Sequence, residues 1–222
     1  MLKTALAAVA VAALLTSCSS TSSDDKTNTA SKTAPTSTAA PTATAPPAPT
    51  YRILDKNDLE NALLGIDAFP TGYSQDSETQ EDTGKTFCDY KEPVKPTVKV
   101  ERDFTKGAGV DVQAGAAILR QYDNEADAKT AFDAMTNELK TCRKDTLEGS
   151  AATHSVTSAP DVGDDSIGVR TEVDGATALS NYALVGPTMV YTGTVSYLSG
   201  DADEAADLLV KQVAAYTAAA RG

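Results

Sequence analysis

"IGVRTEVDGATALSNYALVGPTMVYTGTVSYL", residues 167–198, decides the fold. Ile167 to Val173 alternates apolar with polar residues, the period of a strand with one face covered. Asp174-Gly175 then supplies a pair suited to a two-residue hairpin turn. Ala176 to Val185 returns, Gly186-Pro187 turns again, and Thr188 to Leu198 forms a third strand of matching length. Short turns between strands of similar length predict an antiparallel meander.

Working outward, the meander is followed by "GDADEAADLLVKQVAAYTAAA", a helix with an acidic first turn and an apolar stripe of Leu208, Leu209, Val213 and Tyr216. Before it stands "NEADAKTAFDAMTNELKTC". Asn124 suits the N-cap, and Ala128, Phe132, Met135 and Leu139 recur at helical spacing. Earlier still, "TVKVERDFT" alternates Val98, Val100, Arg102 and Phe104 with polar neighbours. Val110 to Tyr122 reads as a longer strand whose small central residues leave room for close packing. "DKNDLENALL" predicts a short helix capped by Asp55, with Leu59, Leu63 and Leu64 facing inward and Gly65 able to end it. The order helix, strands, helix, strands, helix implies an α+β domain: an antiparallel sheet with helices packed on one face.

At the other end of the chain, Ala5 to Leu15 is an unbroken apolar run behind Lys3. As a helix it would rise about 16 Å, roughly half of the hydrocarbon thickness of a bilayer, which suits a secretory leader rather than a span. The tetrad Leu15-Thr16-Ser17-Cys18 resembles the bacterial lipobox. That resemblance implies a signal peptide over residues 1–17, diacylglycerol on the Cys18 thiol, cleavage just before it, and further acylation such as palmitate. An ordinary signal peptide is the alternative. Residues 18–50 are dominated by Ser, Thr, Ala and Pro, a composition that cannot bury a core and predicts a disordered tether. Its ends would lie about 30 Å apart as a coil and up to about 100 Å as extended polyproline II.

Residues 51–222 have the size of one domain. The chain has 31 acidic and 19 basic residues. Setting aside Lys3, Lys26, Lys32, Asp24 and Asp25 leaves 29 acidic against 16 basic, a domain charge of −13. Such a field repels phosphate backbones and anionic headgroups, so nucleic acid is not an expected partner and membrane contact falls to the lipid. Two cysteines remain, Cys88 and Cys142. In an exported chain an even count predicts a bridge, and the rival is a pair of unrelated buried thiols.

Catalytic and metal chemistry find little support. "GDDSIG", residues 163–168, approaches the hydrolase elbow, but Asp164 occupies the place of its first glycine. A triad of Ser166, His154 and Asp164 is the one nucleophilic constellation available, with His154 expected at the surface. Acidic residues cluster at Asp161, Asp164 and Asp165, at Asp123, Glu125 and Asp127, and at Asp201, Asp203 and Glu204. None has the alternating spacing of a calcium loop. No enzyme activity, cofactor or metal is therefore expected.

Taken in order, "LENALLG…FPTGY", Cys88, "AFDAMTNELKTC", "VGDDSIGV", "YALVGPTMVYTGTVSY" and the alanine-rich C-terminal helix resemble the PknH-type extracellular sensor family of actinobacteria. The family includes the outer domain of a receptor kinase and many stand-alone lipoproteins. The resemblance implies a disulfide-braced antiparallel sheet with helices around a cleft for an extracellular ligand. This chain departs in having two domain cysteines where the kinase's sensor has two bridges, and it carries no kinase or transmembrane sequence. The expectation is a lipid-anchored, non-catalytic ligand-binding or sensor-like domain on the outer face of the cytoplasmic membrane, taking an unknown small molecule. The alternative is a protein-interaction module binding an envelope protein. Any pocket should be framed by the apolar side of the sheet and the helix that begins at Asn124.

Overall fold

The computed structural model describes residues 50–77, 87–108, 111–147, 149–197 and 200–221. Cys18, the leader 1–17 and nearly all of the tether lie outside the described residues. Among the described residues eight strands form one sheet: β1 Tyr73–Gln75, β2 Val98–Lys106, β3 Gln113–Gln121, β4 Lys144–Leu147, β5 Ser150–Thr157, β6 Asp165–Val173, β7 Ala176–Val185 and β8 Thr188–Ser196. Their spatial order is β1-β2-β3-β8-β7-β6-β5-β4, and every neighbouring pair is antiparallel. The meander reads through as β6, β7 and β8. Asp174 and Gly175 turn its first hairpin with φ of 48° and 80°, the left-handed pair that matches strand twist. β8 then lies between β7 and β3, which joins the meander to the earlier hairpin.

Among the described residues there are three α-helices: α1 Lys56–Asn61, α2 Glu125–Thr141 and α3 Ala202–Ala220. The side chains of Asp55, Asn124 and Asp201 accept hydrogen bonds from backbone N–H groups of the first turns, and the first two are the caps expected from the sequence. The α+β class, the antiparallel sheet and the disulfide are as expected. The helices, however, are divided between the two faces. Leu59 of α1 and Leu208, Leu209, Val213 and Tyr216 of α3 pack with Val100, Phe104, Ala117, Leu119, Ala183, Val185 and Val190. Ala128, Phe132, Met135 and Leu139 of α2 pack with Ile167, Val169, Leu184 and Met189 on the opposite side. Adjacent residues point to opposite faces, so Ala183-Leu184-Val185 and Met189-Val190 supply both cores at once. Continuous apolar runs of that kind belong to strands covered on both sides.

Buried polar side chains close the first face. Leu64 N–H donates to Oε1 of Gln212 at 2.9 Å, and Nε2 of Gln212 donates to the Ala62 carbonyl at 2.7 Å. The Arg102 guanidinium reaches the carbonyls of Glu60, Leu63 and Leu64 at 2.9–3.2 Å. The carbonyls of Glu60, in the last turn of α1, and of Ala62, Leu63 and Leu64 just after it thus find donors. Gln121 clamps the N–H and carbonyl of Leu54 in the same manner. The close packing expected in the middle of β3 occurs at Gly115, where a Cβ would stand 2.7 Å from the Phe69 ring. That ring lies 3.9 Å from Phe104, centre to centre.

Candidate functional site

The inward-facing row of the sheet changes character at one end. Register aligns Tyr73, Lys106, Gln113 and Ser196 across β1, β2, β3 and β8. The next inward position on β8 is Thr194. Polar side chains here continue the alternation that elsewhere delivers Phe104, Ala117 and Val190 to the core. The first turn of α3 passes over this end. Together Tyr73, Lys106, Gln113, Thr194, Ser196 and Glu204 line a cavity of about 140 Å³. The Asp201 carboxylate, also at its wall, is occupied as the cap of α3, accepting from Asp203 and Glu204 N–H.

Three groups in this cavity are uncommitted. Thr194 is only 8% exposed, yet its hydroxyl has no hydrogen-bond partner among the described residues. Neither the Lys106 ammonium nor the Glu204 carboxylate forms an ion pair there; Lys106 lies 5.5 Å from the centre of the Tyr73 ring. Burial raises the Glu204 carboxyl above the ordinary value, the Asp201 charge adds to that, and Lys106 opposes it. Burial likewise pushes the Tyr73 phenol up, with the Glu204 charge adding to the effect. Two opposite charges thus sense one another across the cavity without joining. Polar and charged groups that converge on a concave space without bonds to the fold make this the candidate binding site. It sits under α3, on the face opposite α2, so the helix from Asn124 does not frame it.

The proposed triad is not assembled. Ser166 and His154 project from opposite faces of the sheet, because Ser166 aligns with Ala183 in one core and His154 aligns with Thr171 beside the other. The Ser166 hydroxyl donates to the Pro160 carbonyl at 2.7 Å. Asp164 accepts from Gly186 N–H at 2.7 Å, fixing the turn between β7 and β8. Glu125 and Asp127 lie in the first turn of α2, and Asp201, Asp203 and Glu204 form the cap and first turn of α3, where carboxylates favour the helix dipole.

His154 is not at the surface: it is 5% exposed. The sequence around it reads as strand or loop, because Thr, Ser and Ala there give no apolar alternation. Pairing to β6 settles it as a strand. Nδ1 is 2.9 Å from the Thr171 hydroxyl, while Nε2 has no hydrogen-bond partner and lies 4.0 Å from Oδ2 of Asp145. Burial lowers the His154 pKa, and the Asp145 charge only partly opposes it. The folded state therefore favours the neutral ring. Stability from this residue is present above the unfolded value of about 6.5 and is lost as pH falls below it, since the unfolded chain takes up the proton first. Chemical denaturation between pH 7.5 and about 5.5 should show a falling midpoint, and His154→Gln should flatten that slope.

Cys88 and Cys142 are joined, with Cα atoms 6.1 Å apart. Cys142 caps α2, and Cys88 N–H donates to Oδ2 of Asp145 at 2.6 Å. Among the described residues, no helix is long and apolar enough to cross a membrane. No known family model and no curated protein sequence matches the chain. Among solved structures, the extracellular domain of PknH from Mycobacterium tuberculosis is similar over 53% of this chain, at 12% identity and a TM-score of 0.43. The match spans 64% of that chain, less than two thirds of its length.

Proposed function

We propose that residues 51–222 are a non-catalytic ligand-binding or sensor-like domain, held at the outer face of the cytoplasmic membrane by lipid on Cys18 and spaced from it by residues 18–50. The observation that carries the binding half of this reading is the cavity beneath α3, with its unpartnered Thr194 hydroxyl and separated Lys106 and Glu204 charges. The disulfide supports an oxidising compartment, because such bonds persist outside the cytosol. A protein-interaction role is favoured by a different feature. Val156 and Val195 are 38% and 40% exposed on the opposite face, and Tyr197 just beyond β8 is 54% exposed. Exposed apolar groups on one face can seat an envelope protein.

Native mass spectrometry of the full protein, extracted gently from membranes, tests the first reading. A mature chain beginning at acylated Cys18 and carrying a co-purifying small molecule is expected. Cys18→Ala should abolish acylation and move the protein from the membrane to the soluble or unprocessed fraction. A wild-type chain with an intact leader and a bare thiol would overturn the anchor.

A further inference from the structure

Resting on the cavity's role as a binding site, we infer that its ligand is a small zwitterion of amino-acid size, its carboxylate on Lys106 and its ammonium on Glu204. Charge and size both point this way. One cation and one uncommitted anion face a space of about 140 Å³ without pairing. A phosphate-like anion would meet the Glu204 carboxylate as well as Lys106. A divalent cation would meet the ammonium. A neutral polyol would leave both charges without counter-charges in a partly desolvated place, where unpaired charge is costly. A molecule carrying both signs on neighbouring carbons satisfies each wall and brings its own neutrality.

The remaining lining fits the same chemistry. The Thr194 hydroxyl can donate to a ligand carboxylate or accept from its ammonium. The Gln113 amide oxygen already receives the Tyr73 hydroxyl at 3.5 Å, which leaves the amide nitrogen as a donor. Asp201 is held by α3 and contributes negative charge beside Glu204 rather than a free ligand oxygen. The cavity is small against the roughly 300–1,000 Å³ of drug-sized sites. A molecule of glycine or alanine size therefore fits within it.

The test is titration of the full chain with glycine, L-alanine and D-alanine, followed by NMR line-shape changes of the ligand and by calorimetry. Acetate and methylamine supply the two half-charges, and glycerol supplies the neutral polyol. Glycine or alanine should bind at least tenfold more tightly than either half-charge. Lys106→Met and Glu204→Gln should each weaken that binding at least tenfold, and the near-isosteric Thr194→Val should weaken it several-fold. All three variants should melt near the wild-type temperature, because none of these groups holds a bond in the fold. Glycerol binding that is sensitive to Thr194→Val, without zwitterion binding, would overturn the ligand class and leave the site standing. No binding by any probe would sink both. Zwitterion binding that survives Lys106→Met and Glu204→Gln would overturn the assignment of charges.

Discussion

Replacing Cys88 and Cys142 together by serine should lower stability by about 4 kcal/mol, from the loop entropy of a bridge spanning 54 residues. In a domain of this size that corresponds to a fall of about 8–16 °C in Tm. The bridge has a definite local task. It ties the end of α2 to the segment that begins at Phe87. Phe87, Tyr90 and Val94 from that segment then pack against the core built on Phe132 and Met135. Phe87 and Tyr90 stack 5.2 Å apart, and the Tyr90 hydroxyl reaches the Ala131 carbonyl at 3.4 Å. Cys88 and Asp89 hold φ of 47° and 55°, a left-handed conformation that costs about 1–3 kcal/mol per non-glycine residue. The covalent link keeps them there. Reductant should produce the same shift in the wild type and none in the double variant. A double variant melting within 1 °C of the parent, with the wild type indifferent to reductant, would show that packing alone fixes residues 87–94.

How far the sequence could be read depended on where each element finds its partners. α1 and α2 announced themselves through caps and apolar stripes, and α3 through its acidic first turn and apolar stripe, which are local properties. Asp174-Gly175 set the first turn of the meander, and β7 runs over the predicted residues. β1 and β4 were not legible as strands, and β5 was legible only as strand or loop. β1 has three residues, β4 is "KDTL", and β5 has no apolar alternation, so each exists by pairing to a neighbour. Division of the helices between two faces was written in Ala183-Leu184-Val185, but reading it required knowing that β7 is central.

The cavity was harder still. Lys106 and Gln113 lie far in the chain from Ser196, and the three align only through register across β2, β3 and β8. One local clue existed. Lys106 continues the inward phase of Val98, Val100, Arg102 and Phe104, and Ser196 continues that of Val190, Thr192 and Thr194. A charge in core phase marks either a rim or a site. Arg102 shows the structural use of such a position, since its donors are filled by the end of α1. Lys106 has no comparable set of acceptors. His154 failed in the opposite direction. A lone imidazole in a polar stretch reads as surface, but α2 packs beside β5 and the ring is enclosed.

Gln212 carries the second large expectation: Gln212→Leu should cost about 3 kcal/mol although it exchanges a polar core residue for an apolar one of similar size. The side chain is fully buried within the apolar stripe of α3 and makes two bonds to backbone 148 and 150 residues away. Leucine would leave the Leu64 N–H and the Ala62 carbonyl without those partners. A buried polar group deprived of its partner costs about 1–3 kcal/mol, and leucine recovers only part of that through its own burial. Arg102 cannot substitute, because its donors reach the carbonyls of Glu60, Leu63 and Leu64, and it offers no acceptor for the Leu64 N–H. Urea denaturation should report the loss, and hydrogen exchange at the Leu64 amide should accelerate beyond what global destabilisation explains. Glutamate at 212 separates the two bonds: it keeps the acceptor for Leu64 but loses the donor for Ala62, and adds a charge with nowhere to go. It should be worse than leucine at neutral pH and recover in acid as the carboxyl takes up a proton. A leucine variant of parental stability with a still-protected Leu64 amide would mean that α1 docks through its leucines alone, and that the amide bridge between α1 and α3 adds nothing to the fold.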